Sequence, residues 1–255
     1  MRLHVHEWGD SEAPKVVCLH GVQAHGRRFR RLAEERLAAR YHVLAPDLRG
    51  HGFSGWEGPW TLDAHLADLA ETFEGGGTWV GHSFGGRLVL DLATRRRDLV
   101  NGVILLDPAL VVPQDYAQLL ADEELATDRS FATVEEAIEQ TVAGLLRRPS
   151  SFLEEEVREH LQRDEDGRYR FRYSPEAVAA GYLQVAEIPP PIGAARIPTL
   201  LLAATQSKFV SLGEAELFRA TLGDLFRATV VPGGHMVLWE AFEETAAAVE
   251  RFLAG

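Results

Sequence analysis

Six short apolar runs, separated by stretches of helical spacing, constrain this chain more than any other feature. They fall at residues 15–19, 43–45, 78–80, 102–106, 199–203 and 226–231. Runs of that length suit strands buried on both faces of a sheet. Between them, Phe29, Leu32, Ala33 and Leu37 recur at helical spacing, and so do Leu62, Leu66, Leu69, Ala70 and Phe73. Thr61 stands at an N-cap position, and the glycines at 75–77 stop that helix. Further helices are expected through residues 88–93, 212–222 and 236–253. Strands alternating with helices imply an α/β class with a mostly parallel central sheet flanked by helices. Leu3 and Val5 alternate with polar residues, the pattern of a half-exposed edge strand.

The alternation stops between residues 109 and 196, where strand signal is weak. Thr133-Val134-Glu135-Glu136 and Ser151-Phe152-Leu153-Glu154 have the form of capping boxes, and Ser174-Pro175 that of an N-cap followed by proline. Ile188-Pro189-Pro190-Pro191-Ile192 reads as a stiff exit linker. The expected organisation is therefore a core of residues 1–108 and 197–255, with a mostly helical cap, 109–196, inserted before the last two core strands.

One segment carries chemistry in this frame. Gly81-His82-Ser83-Phe84-Gly85-Gly86 follows a strand and opens a helix. Gly-x-Ser-x-Gly in that setting is a nucleophile elbow: a sharp turn lifts the serine hydroxyl to the top of the sheet. The helix N-terminus favours developing negative charge there. A serine needs a base to take its proton. His235, in Pro232-Gly233-Gly234-His235 after the last strand, lies at the same sheet edge, because parallel strands bring their C-terminal ends together. The oxyanion hole is assigned to the N–H groups of Val22 and Phe84. His20 and His82 read as structural hydrogen-bonding groups, and His25 as a surface histidine or a residue of the entrance.

Leu19-His20-Gly21, the segment from Pro46 to Ser54 (PDLRGHGFS), the elbow, and Gly233-Gly234-His235 together resemble the α/β-hydrolase superfamily, in its lipase/esterase-like branch. The resemblance runs along nearly the whole chain outside 109–196. It implies that Asp47, Arg49 and His51 shape a loop beside the site, and that the insertion covers a pocket. Relatives often carry the triad acid just after the strand equivalent to 199–203, but residues 204–209 contain no carboxylate, and Ser207 occupies that position. Other branches place the acid one strand earlier, which makes Asp107 the candidate. Glu214, or a Ser-His pair working without an acid, are the alternatives. The catalytic set is thus Ser83, His235 and Asp107.

These residues imply a serine esterase acting on small to medium acyl chains through an acyl-enzyme, with no metal or organic cofactor. A carbon–carbon bond hydrolase, a lactonase or a thioesterase would use the same triad, and a non-catalytic ligand-binding scaffold would use the same pocket. Phe131, Leu145, Phe171, Tyr173 and Tyr182 are candidates to line that pocket, with Leu146, Phe152, Tyr169, Trp56 and Trp60.

Composition narrows the partners. Among 255 residues, 26 basic against 38 acidic side chains give a net charge of −12, which disfavours nucleic acid. The basic clusters at residues 27–31 and 95–97 read as solvated faces, with anion binding as the alternative. The lone Cys18 reads as a core residue. Residues 1–7 lack the apolar run of a secretory signal, and no apolar stretch is long enough to span a membrane. The expectation is a cytoplasmic monomer or homodimer, without stable membrane insertion, acting on a small-molecule ester.

Overall fold

The computed structural model describes residues 1–146, 152–191 and 195–255. The chain opens with β1 (Val5–Trp8) and β2 (Lys15–Leu19), passes through helical turns over 26–37, and continues with β3 (His42–Pro46) and α1 (Leu62–Thr72). Next come β4 (Gly77–His82), α2 (Phe84–Arg95) and β5 (Val100–Leu106). After an intervening segment, β9 (Thr199–Ala204), α7 (Leu212–Leu222), β10 (Phe226–Val231) and α8 (Phe242–Leu253) complete the chain. Seven of these strands form one sheet in the order β1-β3-β2-β4-β5-β9-β10. Only β1 runs antiparallel to its neighbour, as suits an edge strand.

Side chains alternate across this sheet with a period of two. Val17, Leu19, Trp79, Val103, Leu105 and Leu201 face one apolar layer, which α1 and α2 cover with Leu66, Leu69, Leu88 and Leu92. Val16, Cys18, Val80, Ile104, Leu106 and Leu202 face the other, covered by Phe29, Leu32, Ala246 and Val249. Burial on both faces explains why these strands read as continuous apolar runs rather than as alternation. Cys18 is fully buried, and burial raises its thiol pKa, as expected of an inert core residue.

The intervening segment holds α3 (Gln114–Ala126), β6 (Ser130–Phe131), α4 (Val134–Ala143), α5 (Phe152–His160), β7 (Leu161–Arg163), β8 (Tyr169–Phe171) and α6 (Pro175–Gln184). Thr133 and Ser174 cap their helices, accepting from Glu136 N–H (3.1 Å) and Ala177 N–H (3.3 Å). The capping box assigned to Ser151 lies outside the described residues, as does Ile192 of the linker. The segment also carries a three-stranded antiparallel sheet, β6-β8-β7, which the helical reading missed. Its strands are two or three residues long, too short to declare a period.

Two other differences have local causes. Residues 26–37 form a tight 3₁₀ turn, one α turn and a wide π turn rather than one regular helix. The helix expected over 236–253 breaks at Ala241 (φ −142°, ψ 48°) into a short turn, Val237–Glu240, and α8. Arg87, 2% exposed in α2, pairs with Asp91 (2.6 Å) and donates to the carbonyls of Gln184, Glu187 and Ile188. It therefore ties the end of the intervening segment to the helix that follows Ser83.

Candidate active site

Ser83 occupies the turn between β4 and α2 with φ 54° and ψ −119°. A non-glycine residue at positive φ is strained and persists only where its surroundings impose it. Here the surroundings are backbone. A Cβ on Gly81 would lie 2.4 Å from the Gly85 carbonyl oxygen, and one on Gly85 would lie 2.2 Å from that of Leu19. Only glycine at both positions lets the helix start this close to the sheet. Phe84 is the first helical residue, so its N–H has no partner within the helix.

Asp107 follows β5, also at positive φ (43°), and is fully buried. Three donors converge on its carboxylate. Ala204 N–H reaches Oδ1 at 3.0 Å, Ser207 Oγ–H reaches Oδ2 at 2.5 Å, and His235 Nδ1–H reaches Oδ2 at 2.6 Å. Ser207, where the sequence reading looked for a carboxylate, instead donates to Asp107, which follows the neighbouring strand β5. Glu214 is engaged elsewhere: it forms a capping box with Ser211 at the start of α7.

With Nδ1 committed to Asp107, His235 has Nε2 free for a proton. His235 and Ser83 line the same cavity of about 660 Å³, which also receives Gly21 and Val22. Phe209 packs on the imidazole at 4.3 Å between ring centroids. His82 Nε2–H donates to the His235 carbonyl at 2.9 Å, and burial pushes the His82 pKa well below the ordinary histidine value. His82 is thus a neutral prop for the His235 loop.

Two more histidines fix the loop that carries Val22. Leu48 N–H donates to His20 Nε2 (2.9 Å), which leaves His20 Nδ1–H to donate to the Gly21 carbonyl (2.8 Å). His51 Nε2 lies 2.5 Å from the Val22 carbonyl, and its Nδ1 lies 3.0 Å from that of Arg49. Burial lowers the pKa of both rings. Burial alone would raise the Asp47 carboxyl, but His6 and the N–H groups of Phe53 and Gly26 outweigh it and hold the pKa below the usual range. Asp47 thereby pins the turn at Gly26 to the shaping loop, Arg49 pairs with Asp68 (2.7 Å), and both act structurally. Neither Val22 N–H nor Phe84 N–H bonds another group among the described residues.

Of the aromatic and aliphatic candidates, Phe131, Leu145, Phe171, Tyr173 and Tyr182 line the cavity. Leu146 is 61% exposed and lies outside it, as do Phe152, Tyr169, Trp56 and Trp60. His25 is no surface residue: it is 3% exposed and stacks on His160 at 4.1 Å. The cluster at 27–31 is not simply solvated either. Arg27 pairs with Glu159 (2.7 Å), Arg30 pairs with Glu155 and Glu159, and Arg28 is buried against Glu156, all four contacts joining these turns to α5. One signal pointed to Arg28. It stands four residues before Leu32, on the apolar side of the pattern. Glu156 and Trp239 also line the cavity, and sequence reasoning missed both.

A family model described as alpha/beta hydrolase matches residues 16–248. The chain belongs to that family. It is similar to lipase LipV of Mycobacterium tuberculosis, 34% identical over 97% of this chain and 96% of the relative. It is also similar to esterase YbfF of Escherichia coli, 27% identical over 93% of this chain and 92% of that protein. Among solved structures, E-2-(acetamidomethylene)succinate hydrolase superposes with a TM-score of 0.86 at 24% identity, covering 99% of this chain and 95% of that one, a likeness of fold.

Proposed function

We propose that this α/β hydrolase is a carboxylic-ester hydrolase working through an acyl-enzyme on Ser83. The observation that carries the reading is the His235–Asp107 hydrogen bond (2.6 Å) at the wall of the cavity that also holds Ser83. The similarity to proteins named lipase and esterase supports the same chemistry. Ser83 Oγ attacks the ester carbonyl while His235 Nε2 takes its proton. Asp107 holds the ring with Nδ1 protonated and stabilises the imidazolium. The N–H groups of Val22 and Phe84 take the oxyanion, and donors of this kind are worth about 2.7–4 kcal/mol each in the transition state. His235 then passes its proton to the departing alcohol oxygen. The same ring next activates water, which releases the acid and restores Ser83.

The cavity volume of about 660 Å³ lies within the range of small-molecule sites and suits a small to medium acyl chain. We assign residues 109–196 to a cap over a core of 1–108 and 197–255, because side chains from α3 to α6 form much of the cavity wall. The test is hydrolysis of 4-nitrophenyl esters from acetate to palmitate by the wild type and Ser83→Ala. Turnover is expected to peak at short or medium chains and to vanish in the variant, together with fluorophosphonate labelling. Ester turnover that survives in Ser83→Ala would refute the assignment.

A further inference from the structure

The cavity contains a second group of side chains that the ester chemistry does not use. Arg28, on the turn Gly26–Phe29, is 7% exposed and lines the cavity. Its Nε–H donates to Glu156 Oε1 on α5, and its guanidinium lies 3.8 Å from the centroid of the Trp239 ring. Trp239 Nε1–H in turn donates to Glu156 Oε2 at 2.7 Å. The arginine is therefore held along one edge and one face. Its outer edge is not engaged: among the described residues, neither Nη of Arg28 has a hydrogen-bond partner. His160, 4% exposed, also lines the cavity, and its Nε2 has no partner. Burial first, and then the nearby His25 and Arg28, hold its pKa well below the ordinary histidine value.

Neither Nη is sealed off from solvent, so the guanidinium fork, held at one edge and one face, opens its two outer nitrogens to the cavity as a preorganised donor pair. The outer edge presents parallel N–H groups in a fixed plane, which a planar two-oxygen anion satisfies at once. Glu156 balances the charge from the Nε side. An apolar acyl chain would leave both outer nitrogens unmet, and a single hydroxyl or carbonyl would meet only one. We infer that Arg28 is a specificity-determining residue that binds a carboxylate carried by the substrate, so that this enzyme prefers anionic esters to neutral ones of the same size. Two ester types present that group: half-esters of dicarboxylic acids, and esters whose alcohol carries a carboxylate. The inference rests on the ester-hydrolase reading for its chemistry but not for its binding test.

Two pairs of substrates separate the sources. Mono-4-nitrophenyl glutarate against 4-nitrophenyl pentanoate puts the carboxylate on the acyl side. 4-Acetoxybenzoate against phenyl acetate puts it on the alcohol side. The wild type is expected to favour the anionic member of at least one pair by tenfold or more in kcat/KM. Arg28→Met is expected to erase that ratio, and Arg28→Lys, which keeps the charge but not the fork, to restore only part of it. The Arg28→Met/Glu156→Gln double variant avoids stranding a buried carboxylate and serves if the single variant does not fold. Calorimetry on Ser83→Ala with monoethyl glutarate and diethyl glutarate reads binding without turnover. The half-ester should bind at least tenfold more tightly, and added Arg28→Met should remove the difference. Arg28-dependent half-ester binding by a protein that cleaves no ester would sink the hydrolase reading and leave the subsite standing. No anionic preference in either pair, with equal binding of the two glutarates, would overturn the inference.

Discussion

Replacing Asp107 by Asn changes one atom and should stop most of the chemistry. Asp107 Oδ1 accepts from Ala204 N–H (3.0 Å), so the carbonyl oxygen of an asparagine is drawn to that side. The new NH₂ then takes the place of Oδ2 and faces His235 Nδ1, formerly 2.6 Å from a carboxylate oxygen. A donor there forces His235 into the tautomer with its proton on Nε2. That nitrogen can no longer take the Ser83 proton, and no negative charge offsets the imidazolium. Loss of the orienting acid lowers kcat by about 10²–10⁴, or about 3–5 kcal/mol of barrier at 1.36 kcal/mol per decade. The assay is single-turnover and steady-state hydrolysis of 4-nitrophenyl butyrate, with folding checked by circular dichroism. KM should change little, because the acid does not touch substrate. The companion variant is Asp107→Asn/Ser207→Asp, which moves the carboxylate to a residue already 2.5 Å from Asp107 Oδ2. It should recover about tenfold or more of the lost kcat. A folded Asp107→Asn enzyme with near wild-type kcat would refute this account of the acid.

Three further outcomes follow from the structure. His51→Ala removes the ring beside the Val22 carbonyl, so kcat should fall about tenfold with KM nearly constant, a fraction of the cost of losing an oxyanion donor; an unchanged kcat would mean the Val22 loop holds itself. Gly85→Ala drives a methyl to 2.2 Å from the Leu19 carbonyl and should cost about 2–3 kcal/mol or more in urea unfolding, an expectation that a wild-type midpoint would defeat. The third concerns acid. Burial lowers the pKa of His20, His51, His65, His82 and His160 in the fold. The unfolded chain takes up protons as pH falls through about 6.5 while the folded chain does not. Their contribution is therefore complete above that pH and is lost below it, with a slope of about 1.4 kcal/mol per pH unit for each histidine, until the folded values are reached. Urea midpoints should drop between pH 7.5 and 5.5, and equal midpoints would contradict neutral burial.

The core was legible because its signals are local. Strands buried on both faces announce themselves as apolar runs, and the elbow needs glycines at fixed spacing, Gly81 for a backbone contact inside the turn and Gly85 for one with the end of β2. Asp107 was readable as a candidate only in combination, from the missing carboxylate after β9 and the Asp-Pro at the end of β5. What escaped was set by contacts between distant residues. Arg28 and Glu156 are 128 residues apart in the chain, and neither sequence neighbourhood betrays the other. His25 looked like a surface histidine because the ring that stacks on it, His160, comes from α5. The three short strands of the intervening segment draw their stability from one another and from Phe131 packed on Phe171, so no single window shows them.

The location of the acid has a consequence for how this architecture tolerates change. Ser83 and Asp107 stand at the ends of adjacent strands, β4 and β5, paired in parallel up to His82 and Leu106. Their turns interlock: Ser83 N–H donates to the Leu106 carbonyl (3.3 Å), and Ala109 N–H donates to that of Ser83 (3.2 Å). Two members of the proposed triad are thus registered to each other by the time the chain reaches Ala109, where the proposed cap begins. Had the acid stood after β9, every lengthening or loss within that segment would act between nucleophile and acid. Here such a change separates only His235 from its partners, and β9 and β10 return it to the sheet by their own pairing. The segment that shapes the pocket is free to diversify while the nucleophile and its acid keep their alignment.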